Sequence, residues 1–133
     1  MRARMTSRLR IGLMATLLAV AGGLACNTPS VPLPPPSLDM ISFQPATTSD
    51  SVILQGTAES RYANARFYVF NLTRNEGVIT DAAADGSFTT DPFAGASGDT
   101  VEIYYDPPGG GERSPSVCTT LQFGAGLIGT DCL

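Results

Sequence analysis

Histidine, lysine and tryptophan are absent from the 133 residues, and cysteine occurs three times. Without histidine the chain lacks the commonest general base, the commonest transition-metal ligand and every Ser–His or Cys–His nucleophile pair. Carboxylates, arginine, tyrosine, hydroxyls and thiols remain for chemistry. Without lysine, all eight cations are arginines, and Arg2, Arg4, Arg8 and Arg10 crowd the first ten residues. No acid precedes Asp39. From Cys26 onward four arginines face twelve acids, which leaves −8 where the whole chain carries −4. Such a body repels nucleic acid and anionic headgroups, so nucleic acid is not an expected partner, and the acidity serves solubility.

The N-terminus reads as an address. A basic stretch over residues 1–10 precedes an apolar run over 11–25 that only Thr16 and glycines interrupt. Fifteen residues are short for a bilayer span of about 20, and proline-rich sequence follows at once, so a removed signal peptide fits better than a membrane helix. Gly23-Leu24-Ala25-Cys26 resembles the lipobox of bacterial lipoproteins, in which small residues precede a cysteine that is acylated before cleavage. Ala25 and Cys26 match that pattern; Gly23 stands where leucine is usual and Leu24 where a small residue is usual. The resemblance implies a signal peptide over 1–25, lipidation of Cys26 and a membrane partner reached through that anchor. Ala19-Val20-Ala21 offers ordinary signal peptidase a competing site. Acylation of Cys26 would leave Cys118 and Cys132, which can pair outside the cytoplasm; cleavage after Ala21 would leave an odd thiol. The alternative is a buried free Cys118 and a frayed end at Cys132. A Cys118–Cys132 bond closes a loop of about 15 residues, worth roughly 3 kcal/mol in the chain-entropy model.

Residues 27–37 (NTPSVPLPPPS) hold five of the ten prolines. Such a run favours polyproline II and excludes helix or sheet centre. Eleven residues at about 3.1 Å each reach roughly 30–35 Å, a stiff tether over 26–37 for a domain over 38–133. That domain shows no sustained helical periodicity. Short alternating or apolar runs recur instead, at 40–43, 51–57, 65–72, 77–80, 86–90, 99–106 and 116–123. Asp85-Gly86 is a turn pair, and Pro107-Pro108-Gly109-Gly110-Gly111 ends a strand in a flexible tip. Seven strands in under 100 residues predict an all-β, two-sheet sandwich.

The order Gly56-Thr57-Ala58, residues 65–71 (ARFYVFN), residues 84–88 (ADGSF) and residues 98–101 (GDTV) resembles bacterial Ig-like and carboxypeptidase-regulatory-like (transthyretin-type) modules. The resemblance covers residues 51–106; the segment from Cys118 to Cys132 departs from it, and the Cys–Trp–Cys core of antibody domains is missing. It implies a core of Phe67, Val69, Phe88, Val101 and Ile103.

Candidate sites are few. Asp81, Asp85, Asp91 and Asp99 fall in or beside loops, but their spacing matches no calcium loop, and turn chemistry explains them. Glu102 and Asp106 share a strand face without a tryptophan platform for a sugar. Asn71-Leu72-Thr73 fits the glycosylation triplet, although Asn71 suits a turn. Among Tyr62, Tyr68, Phe70 and Tyr104, the trio Tyr68, Phe70 and Tyr104 would form an outward aromatic face for an envelope protein or glycan, unless the tail 124–133 covers it. No catalytic constellation, metal set or cofactor motif is visible. The reading is a non-catalytic structural, adhesive or accessory module, with a carbohydrate- or peptide-binding module and a small enzyme or inhibitor as rivals.

Overall fold

The computed structural model describes residues 31–125, 127–130 and 132. The leader, both candidate cleavage sites and Cys26 lie outside them. The compact unit begins at Pro32, and among the described residues no helix is long and apolar enough to cross a membrane.

The chain is all-β. Strands β1 (Ile41–Pro45), β2 (Ser51–Gly56), β3 (Arg66–Asn71), β4 (Glu76–Asp81), β5 (Phe88–Thr89), β6 (Phe93–Ala94), β7 (Thr100–Asp106), β8 (Val117–Thr120), β9 (Gly124–Ala125) and β10 (Gly129–Thr130) form two antiparallel sheets. One sheet runs β5-β2-β1-β9, with β6 also on β2; the other runs β10-β8-β7-β3-β4. Among the described residues ten strands thus stand where the sequence predicts seven. The fifth expected strand, 86–90, shrinks to two residues, and β6, β9 and β10 are too short to show a period.

β5 and β6 share one edge of β2, at Gln55↔Thr89 and Val52↔Phe93. Pro92 between them has no N–H for a ladder. Thr90 bridges the gap: its N–H donates to the Leu54 carbonyl and its hydroxyl accepts from the Leu54 N–H, both at 3.0 Å. The broken edge resists pairing with another chain. Asp85-Gly86 makes its turn, but β4 and β5 belong to different sheets, so this turn carries the chain across the sandwich and closes no hairpin.

Period-2 alternation sets the core. Ile41, Phe43, Val52, Leu54, Phe67, Val69, Val101, Ile103 and Tyr105 point inward and are buried. The five core residues predicted from the sequence are all buried, Phe88 among them. With no tryptophan available, smaller rings fill the centre. Phe67 stacks on Phe88 at 4.0 Å, and Tyr62 meets Phe67 edge-on at 5.1 Å. Burying each such side chain is worth about 1.5–3 kcal/mol. Tyr62 belongs to this core, 1% exposed, and not to the outward aromatic group.

Candidate functional site

The outer face of the β10-β8-β7-β3-β4 sheet holds the predicted trio. Antiparallel register sets opposite residues on one face, so β3 presents Arg66, Tyr68, Phe70 and then Leu72 outward. Across the sheet, Ile79, Tyr68 and Tyr104 form one row; Gly77, Phe70, Glu102 and Cys118 form the next. A third row, Asp81–Arg66–Asp106, borders them.

Tyr68 and Tyr104 stack at 4.9 Å between ring centres, 17° from parallel. Both are half-buried, as is Phe70. Phe70 lies over Gly77, whose missing side chain makes room; a Cβ there would come within 2.7 Å of the ring. Ile79 and Leu72 extend the apolar surface, 59% and 37% exposed.

The described tail does not lie over these rings. β9 pairs with β1 and β10 with β8, so the tail runs along the sheet edges. The group over the tyrosines is Arg113, from the loop joining β7 to β8. Its guanidinium carbon sits 4.4 Å from the Tyr104 ring centre and 5.1 Å from that of Tyr68. Its Nε–H donates to Asp106 at 3.1 Å. The Asp106 carboxylate, acting as acceptor, raises the Tyr68 pKa. Sequence reasoning missed Arg113 and Ile79. Alternation along β4 places Ile79 outward with Gly77; for Arg113 only its being the loop's sole cation hinted at a role.

Beside Tyr68, a shallow cleft of about 520 Å³ is lined by Arg66, Asp81, Asp106 and the 107–110 turn. Its charges are largely paired. Arg66 grips Asp81 with two hydrogen bonds, at 2.7 and 3.1 Å, and that donor pair holds the Asp81 carboxyl below its ordinary range.

The other candidates separate. Asp85 accepts from the Ser87 hydroxyl and N–H, an Asx-type turn that also lowers its pKa. Asp91 is exposed. Asp99 lies at the opposite pole, bonded to Asn71 and Arg74. Among the described residues no three His, Cys, Asp or Glu side chains gather as a metal set would. Glu102 sits in the Phe70 row while Asp106 is held by Arg113. Cys118 and Cys132 form a disulfide, Cα atoms 5.3 Å apart, on the outer face beside β10.

No family model, curated protein or solved structure matches the chain.

Proposed function

We propose that this chain is a non-catalytic bacterial envelope lipoprotein. Its leader is removed at Cys26, acyl chains on Cys26 hold it to a membrane, and an Ig-like sandwich is displayed as an adhesive or accessory module. Three features support this reading. The leader ends at a lipobox-like cysteine. The strands β1, β2 and β5/β6 share one sheet and β3, β7 and β8 the other, as the corresponding strands do in immunoglobulin-type sandwiches, with β4 beside β3. Of the six candidate carboxylates, Asp81, Asp85, Asp99 and Asp106 are engaged in structural bonds, while Asp91 is exposed and Glu102 stands in the Phe70 row.

The single observation that carries the contact role is the Tyr68–Tyr104 stack with Ile79 beside it. Aromatic residues capped by arginine are the composition that interfaces favour over ordinary surface. A second reading, recognition of a glycan or peptide, draws on the cleft beside Tyr68, where a ring meets paired carboxylate and guanidinium groups.

Cell fractionation tests the anchor. Cys26→Ser should move the protein from the membrane to the soluble fraction; persistence on the membrane would end the lipoprotein reading. Co-sedimentation with isolated envelope material tests the face. A Tyr68→Ser/Tyr104→Ser pair should cut retention by about tenfold or more, the loss expected from two interface aromatics. Unchanged retention in a folded variant would remove the contact role.

A further inference from the structure

Segment 33–37 lies against the domain, inside the stretch that composition marks as a tether. Leu33 packs on the core and Pro36 is buried. The Tyr105 hydroxyl donates to the Pro34 carbonyl at 3.1 Å, across 71 residues of sequence. The Ser37 N–H donates to the Tyr62 hydroxyl at 2.8 Å, and Arg61 donates to the Ser37 hydroxyl. Tyr62 and Tyr105 meet edge-on at 5.0 Å and are each 1% exposed.

The chemistry of this pole suits a proline run. Prolines offer no N–H, only carbonyls and flat apolar rings, and a polyproline II strand is ordered before it binds. Aromatic grooves with hydroxyl donors recognise such strands. Here one tyrosine hydroxyl donates to a proline-segment carbonyl. The other accepts from Ser37, the first residue after Pro34, Pro35 and Pro36 that has an N–H to give. Burial raises the Tyr105 pKa, which keeps that hydroxyl in its donor form.

We infer that the Tyr62–Tyr105 pole is a proline-recognition surface occupied by this chain's own segment 33–37, which locks that segment into the rigid body. Six residues separate Cys26 from Leu33, so a tether anchored at Cys26 would have a reach of about 19 Å, at about 3.1 Å per residue, and not that of the whole run. Chain direction puts the loops 57–65, 82–87 and 107–116 at the clasped pole and 46–50, 72–75 and 95–99 at the other. The consequence for orientation rests on the anchor reading above: the second set of loops is presented outward. The clasp itself does not depend on it.

Hydrogen exchange on the full chain, purified in detergent, tests the clasp. The Ser37 amide, bonded to the Tyr62 hydroxyl, should be protected at least about tenfold over an unstructured peptide. Tyr62→Phe/Tyr105→Phe keeps both rings and removes both hydroxyls; Ser37 should then exchange about tenfold faster while Val69 and Ile103 keep their protection. Free-peptide exchange at Ser37 in the parent would overturn the inference, whether or not the variant folds. So would a concentration-dependent dimer that the double variant dissociates, because the occupant would then be a second copy's segment. Loss of the membrane anchor, by contrast, would leave these rates unchanged, so the two readings fail separately.

Discussion

The Asn71 side-chain amide donates to the Asp99 carboxylate at 2.9 Å, joining residues 28 apart in sequence. The same amide donates to the Ala94 carbonyl at 2.9 Å, so one side chain ties β3 in one sheet to β6 in the other. Its oxygen accepts from the Thr73 and Arg74 N–H groups, at 3.0 and 3.1 Å, and shapes the β3–β4 turn. Asn71 has 0% exposure, so its side chain is committed to this turn and not displayed for glycosylation. Asp99 completes the hub through Arg74 at 2.7 Å and the Ala96 N–H at 2.9 Å.

This hub makes the fold acid-sensitive. Burial pushes the Asp99 carboxyl up, but donors from Asn71, the Ala96 N–H and Arg74 outweigh it and hold the pKa below its ordinary value. A carboxyl lowered by folding contributes stability above its unfolded pKa, about 4, and loses that contribution as pH falls through the folded value. Urea midpoints taken from pH 7 down to pH 2.5 should therefore drop below about pH 4. Asp99→Asn should cost about 1–3 kcal/mol at pH 7, because the Arg74 and Ala96 donors lose a charged acceptor. Its acid limb should also be shallower than the parent's. Parallel acid limbs in the two proteins would show that the hub does not govern the transition.

The disulfide is the next test of stability. Among the described residues β10 holds β8 through two opposed pairs, Gly129↔Thr119 and Thr130↔Cys118. The Thr119 hydroxyl adds one bond, to the Ile128 carbonyl at 2.9 Å. So few contacts cannot offset the entropy of ordering the tail, and the crosslink supplies the rest. Cys132→Ser should lower unfolding free energy by roughly 3 kcal/mol, with native circular dichroism retained at low denaturant. A parent whose midpoint is the same with and without reductant would contradict this account.

The sandwich was legible in the sequence because its long strands alternate strictly. Val101, Ile103 and Tyr105 point inward and Glu102 and Tyr104 do not, as period 2 requires. The same alternation along β3 placed Tyr68 and Phe70 on one outward face. What could not be read depends on partners distant in sequence. Tyr62 sits in a turn with no period, and its hydroxyl meets an N–H 25 residues away. Thr90 replaces a ladder acceptor at a proline break, which composition alone shows only as a strand that ends early. Arg113 reaches the tyrosines because of how three consecutive glycines with positive φ, Gly109, Gly110 and Gly111, fold their loop back. Glycine marks such a turn without fixing its direction.

Two glycines separate strain from crowding. Gly86 has φ +85°, and a Cβ added there would overlap the Glu59 carbonyl. Gly98 has φ +96° with nothing within 4 Å of the added atom. Gly98→Ala should cost only the left-handed backbone penalty, about 1–2 kcal/mol. Gly86→Ala should cost more, roughly 2–4 kcal/mol, since the turn that crosses between the sheets must also move. Thermal or urea unfolding of the pair gives the comparison. Equal losses would mean that the Glu59 contact relaxes freely.

Arg113 allows the outer face to be read in solution. The chain has four tyrosines and no tryptophan, so its near-ultraviolet fluorescence belongs to tyrosine alone. Tyr62 and Tyr105 are buried, which leaves Tyr68 and Tyr104 as the rings a collisional quencher can reach. Arg113 lies over both, yet its own side chain is 55% exposed. A cation–π contact at such a site is worth about 0.5–1 kcal/mol, and an exposed ion pair adds little. Arg113→Ala should therefore shift the unfolding midpoint only slightly while raising acrylamide quenching clearly. Arg113→Lys keeps the charge but loses the flat guanidinium that spreads across two rings, so its quenching should fall between parent and alanine variant. If all three proteins quench alike, Arg113 does not cover the tyrosines, and the face that contacts a partner is a bare aromatic surface.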